Sequence, residues 1–174
     1  MKFIEYPSIR NIKSVEDRAV KEVIASDLNK EEWIISEKIH GANGAIYFNG
    51  TEVKTANRSG FLESFSKFFG FQKIASVYEQ ELKKYYQGMC NSFEHIGIDL
   101  EKYNAYMIAY GEVYGGSVQK GTPYSKIKTF RAFDVVIVAD LNGGLIEKLN
   151  KKGVHNYCIT PDGKNVLIDR KSVV

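Results

Sequence analysis

The chain has 174 residues, a hydrophobic fraction of 44%, a charged fraction of 26% and a net charge of +3. That is room for one domain with the balance of an ordinary globular protein, and the mild charge does not by itself point to nucleic acid. No apolar run reaches the roughly 18–20 residues of a membrane span. The first residues lack the apolar core of a secretory signal, so a cytoplasmic location is expected. Cys90, Cys158, His40, His95 and His155 share no metal-ligand spacing, and no zinc site is expected.

In chain order, residues 14–26 read as a helix. Ser14 caps it, Glu16 and Asp17 suit its positive first turn, and Val15, Ala19, Val20, Val23 and Ile24 share a face. Residues 32–37 read as a strand centred on Ile34 and Ile35. A Gly-containing turn follows, with Lys38 where that strand stops. Residues 44–48 and 52–56 form a hairpin around Asn49-Gly50, a pair suited to a two-residue turn with positive φ at both positions. Residues 57–69 are irregular.

Residues 71–89 carry an apolar stripe at helical spacing (Phe71, Ile74, Val77, Tyr78, Leu82, Tyr85, Met89), read as core packing. A polar connection over 88–104 leads to a strand at 105–113 and a Gly-rich loop at 114–128. The strand at 129–139 is apolar almost throughout, as a central strand would be. Residues 145–152 suggest a short helix, and 157–160 with 166–169 a hairpin around Pro161-Asp162-Gly163. The order predicts an α+β fold with mainly antiparallel sheets and flanking helices.

Polar residues fall near the ends of the predicted strands: Lys38, Arg58, Glu112 and, inside the fifth strand, Asp134. Each alone also fits a surface role. Asp134 differs, because a carboxylate in an apolar strand needs a partner, either Arg131 or a backbone amide on the structural reading. Together the set holds the groups a nucleotide requires: an amine, a guanidinium, carboxylates for hydroxyls or a metal, and an aromatic ring to stack on a base.

The segment Glu37-Lys38-Ile39-His40-Gly41-Ala42-Asn43 resembles the Lys-x-His-Gly-x-Asn nucleotidyl-transfer motif of the T4 RNA ligase 2-like family, which includes the RNA-editing ligases. Further motifs of that family follow in order. They are Thr55-Ala56-Asn57-Arg58-Ser59-Gly60, Phe68-Phe69-Gly70-Phe71, Tyr110-Gly111-Glu112-Val113-Tyr114-Gly115-Gly116 and Phe130-Arg131-Ala132-Phe133-Asp134-Val135. Val118-Gln119-Lys120-Gly121 and Tyr124-Ser125 resemble the loop between the last two. The resemblance runs from about Trp33 to Val138. Related DNA ligases and capping enzymes usually have Asp where His40 stands.

The resemblance implies a single ATP-grasp-like nucleotidyltransferase (adenylation) domain over residues 1–174, with 145–174 a divergent tail and the domain incomplete at its C-terminus. It implies an ATP-dependent RNA ligase using Mg2+ or Mn2+. Lys38 would attack the α-phosphorus of ATP, and the lysyl-AMP would pass AMP to an RNA 5′-phosphate for sealing by a 3′-hydroxyl. His40 and Asn43 would hold the lysine turn and its phosphate. Arg58 would contact the ribose or 5′-phosphate side. Glu112 would bind the ribose hydroxyl and is the candidate metal ligand. Phe133 would stack on adenine, and Asp134 would support the site. Glu37, chiefly through its backbone, and Ile39 would line the adenine pocket, and Lys120 is a candidate phosphate contact.

Two later family motifs depart from the pattern. No Glu-Gly-x-Val follows Asp134. Residues 166–171 match the Lys-x-Lys strand only at Lys171, with Asp169 in place of the first lysine. A partner chain supplying these groups is one expectation; a non-catalytic ATP- or RNA-binding module is the other.

Overall fold

The computed structural model describes residues 1–6, 37–64, 67–121 and 124–169. Contacts divide the chain into two units: Met1–Glu5 with the chain from His40 onward, and Tyr6–Ile39. Of the second unit only Tyr6 and residues 37–39 are described. The predicted helix at 14–26 therefore lies outside the described residues, as does the strand at 32–37 apart from Glu37, which is in no strand.

The first unit is α+β. Its strands are β1 (Ala42–Phe48), β2 (Val53–Asn57), β3 (Gly60–Phe61), β4 (Tyr106–Tyr114), β5 (Thr129–Asp140), β6 (Tyr157–Ile159) and β7 (Asn165–Asp169). They form one seven-stranded open sheet in the order β3-β2-β1-β4-β5-β7-β6, with every pairing among these strands antiparallel. Three α-helices accompany it among the described residues, α1 (Phe71–Val77), α2 (Glu79–His95) and α3 (Leu145–Lys151), with a short 3-10 turn at Leu100–Tyr103.

The β1–β2 hairpin forms as expected but through a different turn. Phe48 pairs with Val53, which leaves a four-residue loop, and only Gly50 in it has positive φ (98°). Asn49 closes the loop with its side chain: Oδ1 accepts from the amides of Thr51 (3.1 Å) and Glu52 (2.8 Å). An Asn side chain that substitutes for a backbone turn in this way removes the need for positive φ at its own position.

The single helix expected over 71–89 is two. The first ends at Tyr78, whose amide donates to Ala75 O (3.0 Å), a tightened last turn, and whose hydroxyl is 2.9 Å from Thr129 Oγ1 on β5. The second continues through Gly88 to His95, into the stretch expected to be a polar connection. Burial of Phe93 holds its last turn in place.

One face of the sheet carries the helices. Ile46 and Val113 meet Phe71 and Ala75 there, and Phe48 and Met107 meet Tyr86. A further apolar cluster joins Ile137 and Ala139 of β5 with Leu145 and Leu149 of α3 and Val166 and Ile168 of β7. Residues 145–169 are thus built into the core, and β7 pairs with β5 from Val136↔Asp169 to Asp140↔Asn165.

The other face carries Ala45 and Tyr47 of β1 and Tyr106 and Tyr110 of β4. The N-terminal segment lies across these tyrosines. The Ile4 amide donates to Tyr47 OH (3.0 Å), and the Ile4 carbonyl accepts from Tyr47 OH (2.8 Å) and Tyr110 OH (2.9 Å). Tyr106 OH donates to the Lys2 carbonyl (3.0 Å) and Lys2 pairs with Asp162. Phe3 packs 5.8 Å from Phe61, which in turn packs 4.8 Å from Tyr47.

Candidate active site

The same face changes character toward the start of β1. Asn43 stands directly opposite Glu112, and Glu112 directly opposite Arg131, so three polar side chains lie in a row across β1, β4 and β5. Tyr110 of β4 is opposite Asp134. Burial raises the Tyr110 phenol well above its ordinary range, with the charges of Tyr47, Tyr106 and Asp134 adding to the effect.

Between those two rows the register slips. Gly111 pairs with Ala132 and Tyr110 with Asp134, which leaves Phe133 as an extra residue in β5. Counted from Phe130, strand alternation puts Arg131 and Phe133 on the Glu112 face. Counted from Ile137, it puts Asp134 there. Both hold only because a bulge interrupts the alternation. Phe133 is 52% exposed, unusual for a phenylalanine inside a twelve-residue strand.

The turn that enters β1 is pressed against this row. A Cβ at Gly41 would collide with the Val113 carbonyl and lie 3.1 Å from Glu112 Oε2, an oxygen that is itself buried. Only glycine lets the backbone approach so closely. Two side chains from the 114–128 loop hold the turn from its other side: Gln119 Nε2 donates to Gly41 O (3.0 Å), and Tyr124 OH accepts from the His40 amide (3.1 Å). Sequence reading placed Gln119 and Tyr124 in a family-like loop but gave them no task. The sequence offers Arg131 as a partner for Asp134, whereas the register sets it opposite Glu112.

The remaining expected residues are distributed as follows. Arg58 follows β2 and lies 3.6 Å from Glu5 through Nε, with both side chains largely exposed. Lys120 is exposed in the loop. Glu37 and Lys38 are exposed and Ile39 half-buried; all three belong to the second unit, with Lys38 two residues ahead of His40 along the chain. Lys171 lies outside the described residues. The site face thus brings together Asn43, Glu112, Arg131, Phe133 and Asp134, with His40 and Gly41 at its edge.

For a metal, the described residues contain no cluster of three carboxylate, histidine or cysteine side chains. The donors on the site face are the carboxylates of Glu112 and Asp134. That suits magnesium, which keeps several waters and phosphate oxygens and takes one or two protein carboxylates. It does not suit an all-protein cage.

An open antiparallel sheet with a row of charged residues at one end fits many enzymes. Comparison with known proteins narrows the class. The RNA ligase family model matches residues 31–169, and the chain belongs to the RNA ligase family. The match continues past the Val138 limit of the motif-based resemblance, through α3, β6 and β7. Among curated proteins, the mitochondrial RNA-editing ligase 2 of Trypanosoma brucei brucei is 28% identical over 117 residues, covering 66% of this chain and 26% of that protein. The chain spans about a quarter of the length of that relative. No helix among the described residues is long and apolar enough to cross a membrane.

Proposed function

We propose that this chain is an ATP-dependent RNA ligase whose sheet is an ATP-grasp-like nucleotidyltransferase domain spanning residues 1–174, with Lys38 as the nucleophile. The amine attacks the α-phosphorus of ATP and pyrophosphate leaves. AMP passes from Lys38 to an RNA 5′-phosphate, and a 3′-hydroxyl then displaces AMP to seal the strand. The observation that carries this reading is the Asn43–Glu112–Arg131 row beside the bulged Phe133. It lies at the end of the sheet where the Lys38–Asn43 motif enters β1, and Gly41 packs against Glu112.

The remaining roles are those the family resemblance implies. Asn43 and His40 belong to the turn downstream of the nucleophile. Glu112 accepts from a ribose hydroxyl, and its carboxylate would hold a phosphate-borne magnesium ion. Bound magnesium supplies charge compensation on the phosphates. Phe133, freed from the ladder by the bulge, offers its ring to adenine, and Asp134 supports that end through Tyr110. Arg58 and Lys120 supply cations for the phosphates, and Lys171 would add a third. Glu37 and Ile39 flank the nucleophile and line the base pocket. The two free cysteines, Cys90 and Cys158, suit a reducing compartment such as the cytoplasm.

The test is incubation with ATP labelled at the α-phosphate and magnesium, followed by denaturation and peptide mapping. The label stays on the peptide containing Lys38 and then moves to the 5′-phosphate of a nicked RNA duplex. A second reading is favoured by Asp169 standing where the family has a lysine and by the missing Glu-Gly-x-Val. On it, the chain binds ATP or RNA reversibly, or needs a partner chain to complete the site. It predicts nucleotide binding with no covalent label on the isolated chain.

A further inference from the structure

The turn that carries the chain from Lys38 into β1 has a mechanical problem to solve. Gly41 is needed there because a Cβ would lie 2.4 Å from the Val113 carbonyl oxygen. Glycine also has the least restricted backbone of any residue. Residues 37–40 belong to no helix or strand, and the ladder that fixes β1 begins at Ala42, opposite Val113. Lys38 stands four residues upstream of that first pairing, with the permissive glycine in between. Such a segment aims an amine only if something other than the ladder holds it.

Two side chains do this. Tyr124 OH accepts from the His40 amide (3.1 Å), and Gln119 Nε2 donates to the Gly41 carbonyl (3.0 Å). One bond falls on the N–H of the first residue and the other on the C=O of the second. Between those two atoms lie the soft torsions of both residues, so the pair of bonds limits the freedom that glycine brings. The clamp is itself held. Val118, next to Gln119, is buried in one cluster with Phe71 and Val113. The Gly116 amide donates to Ser125 O (2.8 Å), which closes the loop that carries both side chains. The Tyr124 ring stands edge-on to Tyr114, with centroids 6.1 Å apart. A side chain already fixed by packing loses little further entropy when it makes a bond.

We propose that Gln119 and Tyr124 are positioning residues for the nucleophile. They fix His40 and Gly41, and through Ile39 they set where the Lys38 amine stands when ATP is bound. This assignment rests on the reading of Lys38 as the attacking group and adds to it the residues that aim it. In this role neither side chain touches the reacting atoms. A misplacement of about 1 Å at a reacting group can cost about 100-fold in rate, so loss of either bond is felt in the rate of attack and not in the affinity for ATP. A loop that holds a turn can also serve the fold alone, and a glutamine beside Lys120 can bind ATP directly. The experiment separates these.

AMP labelling of Lys38 is followed against ATP concentration for the full chain, for Tyr124→Phe, for Gln119→Met and for the double variant. Melting temperature and hydrogen exchange of the peptide 37–43 are measured alongside. The expected result is labelling about tenfold slower at saturating ATP for each single variant, with half-saturating ATP within about twofold of wild type. Both bonds act on one turn, so the double variant loses less than the product of the two single losses. The peptide 37–43 exchanges faster in Tyr124→Phe while the melting temperature holds. Should one variant fail to fold, the other carries the test. Wild-type labelling rates in folded variants overturn the proposal and leave the two bonds as architecture. A rise in half-saturating ATP at an unchanged maximal rate also overturns it, by assigning the side chains to ATP binding. A wild-type chain that binds ATP and takes no label defeats the ligase reading itself, and this assignment with it; a labelled wild type beside unaffected variants defeats this assignment alone.

Discussion

Two ends of one sheet face are built from the same strands to opposite effect. At the Tyr47–Tyr106–Tyr110 end, each polar atom is matched by the backbone of Met1–Glu5 and aromatic rings fill the space between. At the Asn43–Glu112–Arg131 end, a few residues along β1 and β4, charged and amide side chains stand in a row, with Arg131 exposed and Glu112 reaching a buried position against Gly41. The closed end uses polar groups to fix a chain segment. The open end keeps them in a row, with a bulge to turn out an aromatic ring. The difference teaches that burial and hydrogen bonding report architecture here, whereas register and bulge position report the site.

That contrast can be broken first at its closed end. Burial pushes the Tyr47 and Tyr106 phenols up to about 12 from an ordinary 10. The folded chain therefore keeps protons that the unfolded chain releases above pH 10. The stabilisation is complete below pH 10 and is lost as pH climbs through 12, on the order of 2–3 kcal/mol for each tyrosine. Chemical denaturation between pH 8 and 12 should show the fall, and Tyr47→Phe should make it shallower. A flat profile would mean the strap does not bury these phenols.

At the open end, Glu112→Gln removes a charged acceptor and should slow AMP labelling of Lys38 by about 100-fold, near 3 kcal/mol, without a comparable loss of melting temperature. A stability loss of that size with normal labelling would move Glu112 to the structural side of the comparison. Phe133→Ala should weaken adenosine-nucleotide binding by about 1–3 kcal/mol while Phe133→Tyr largely retains it, measured by calorimetry. The smallest effect belongs to Tyr110→Phe. Losing its bond to the Ile4 carbonyl should cost about 1 kcal/mol in denaturant titration and leave labelling within about twofold.

How much of this was legible beforehand follows from range. Asn49-Gly50 and the apolar runs of β4 and β5 are local patterns, and the sequence shows them with boundaries close to those found; the stripe from Phe71 shows where helix begins but not where it breaks or ends. The break at Tyr78 was hidden because the stripe runs straight through it; the Tyr78–Thr129 contact comes from tertiary packing. β3 is two residues long and exists only through its pairing with β2. The strap of Met1–Glu5 over three tyrosines spans more than forty residues to its nearest partner and has no local signal. Most of the site residues were found through motif resemblance. What resemblance did not supply was their arrangement. That Glu112 faces Arg131, and that Phe133 is the bulged residue, depends on the β4–β5 register, which a one-residue slip would invert.

The account stands or falls on the amine of Lys38. The most direct measurement is the intact mass of the purified chain after incubation with ATP and magnesium, beside Lys38→Ala treated in the same way. The expected result is one added AMP on the wild-type chain, mapped to Lys38, and none on the variant. An unmodified wild-type mass under conditions where the chain binds ATP, or an adduct that persists in Lys38→Ala, would contradict it.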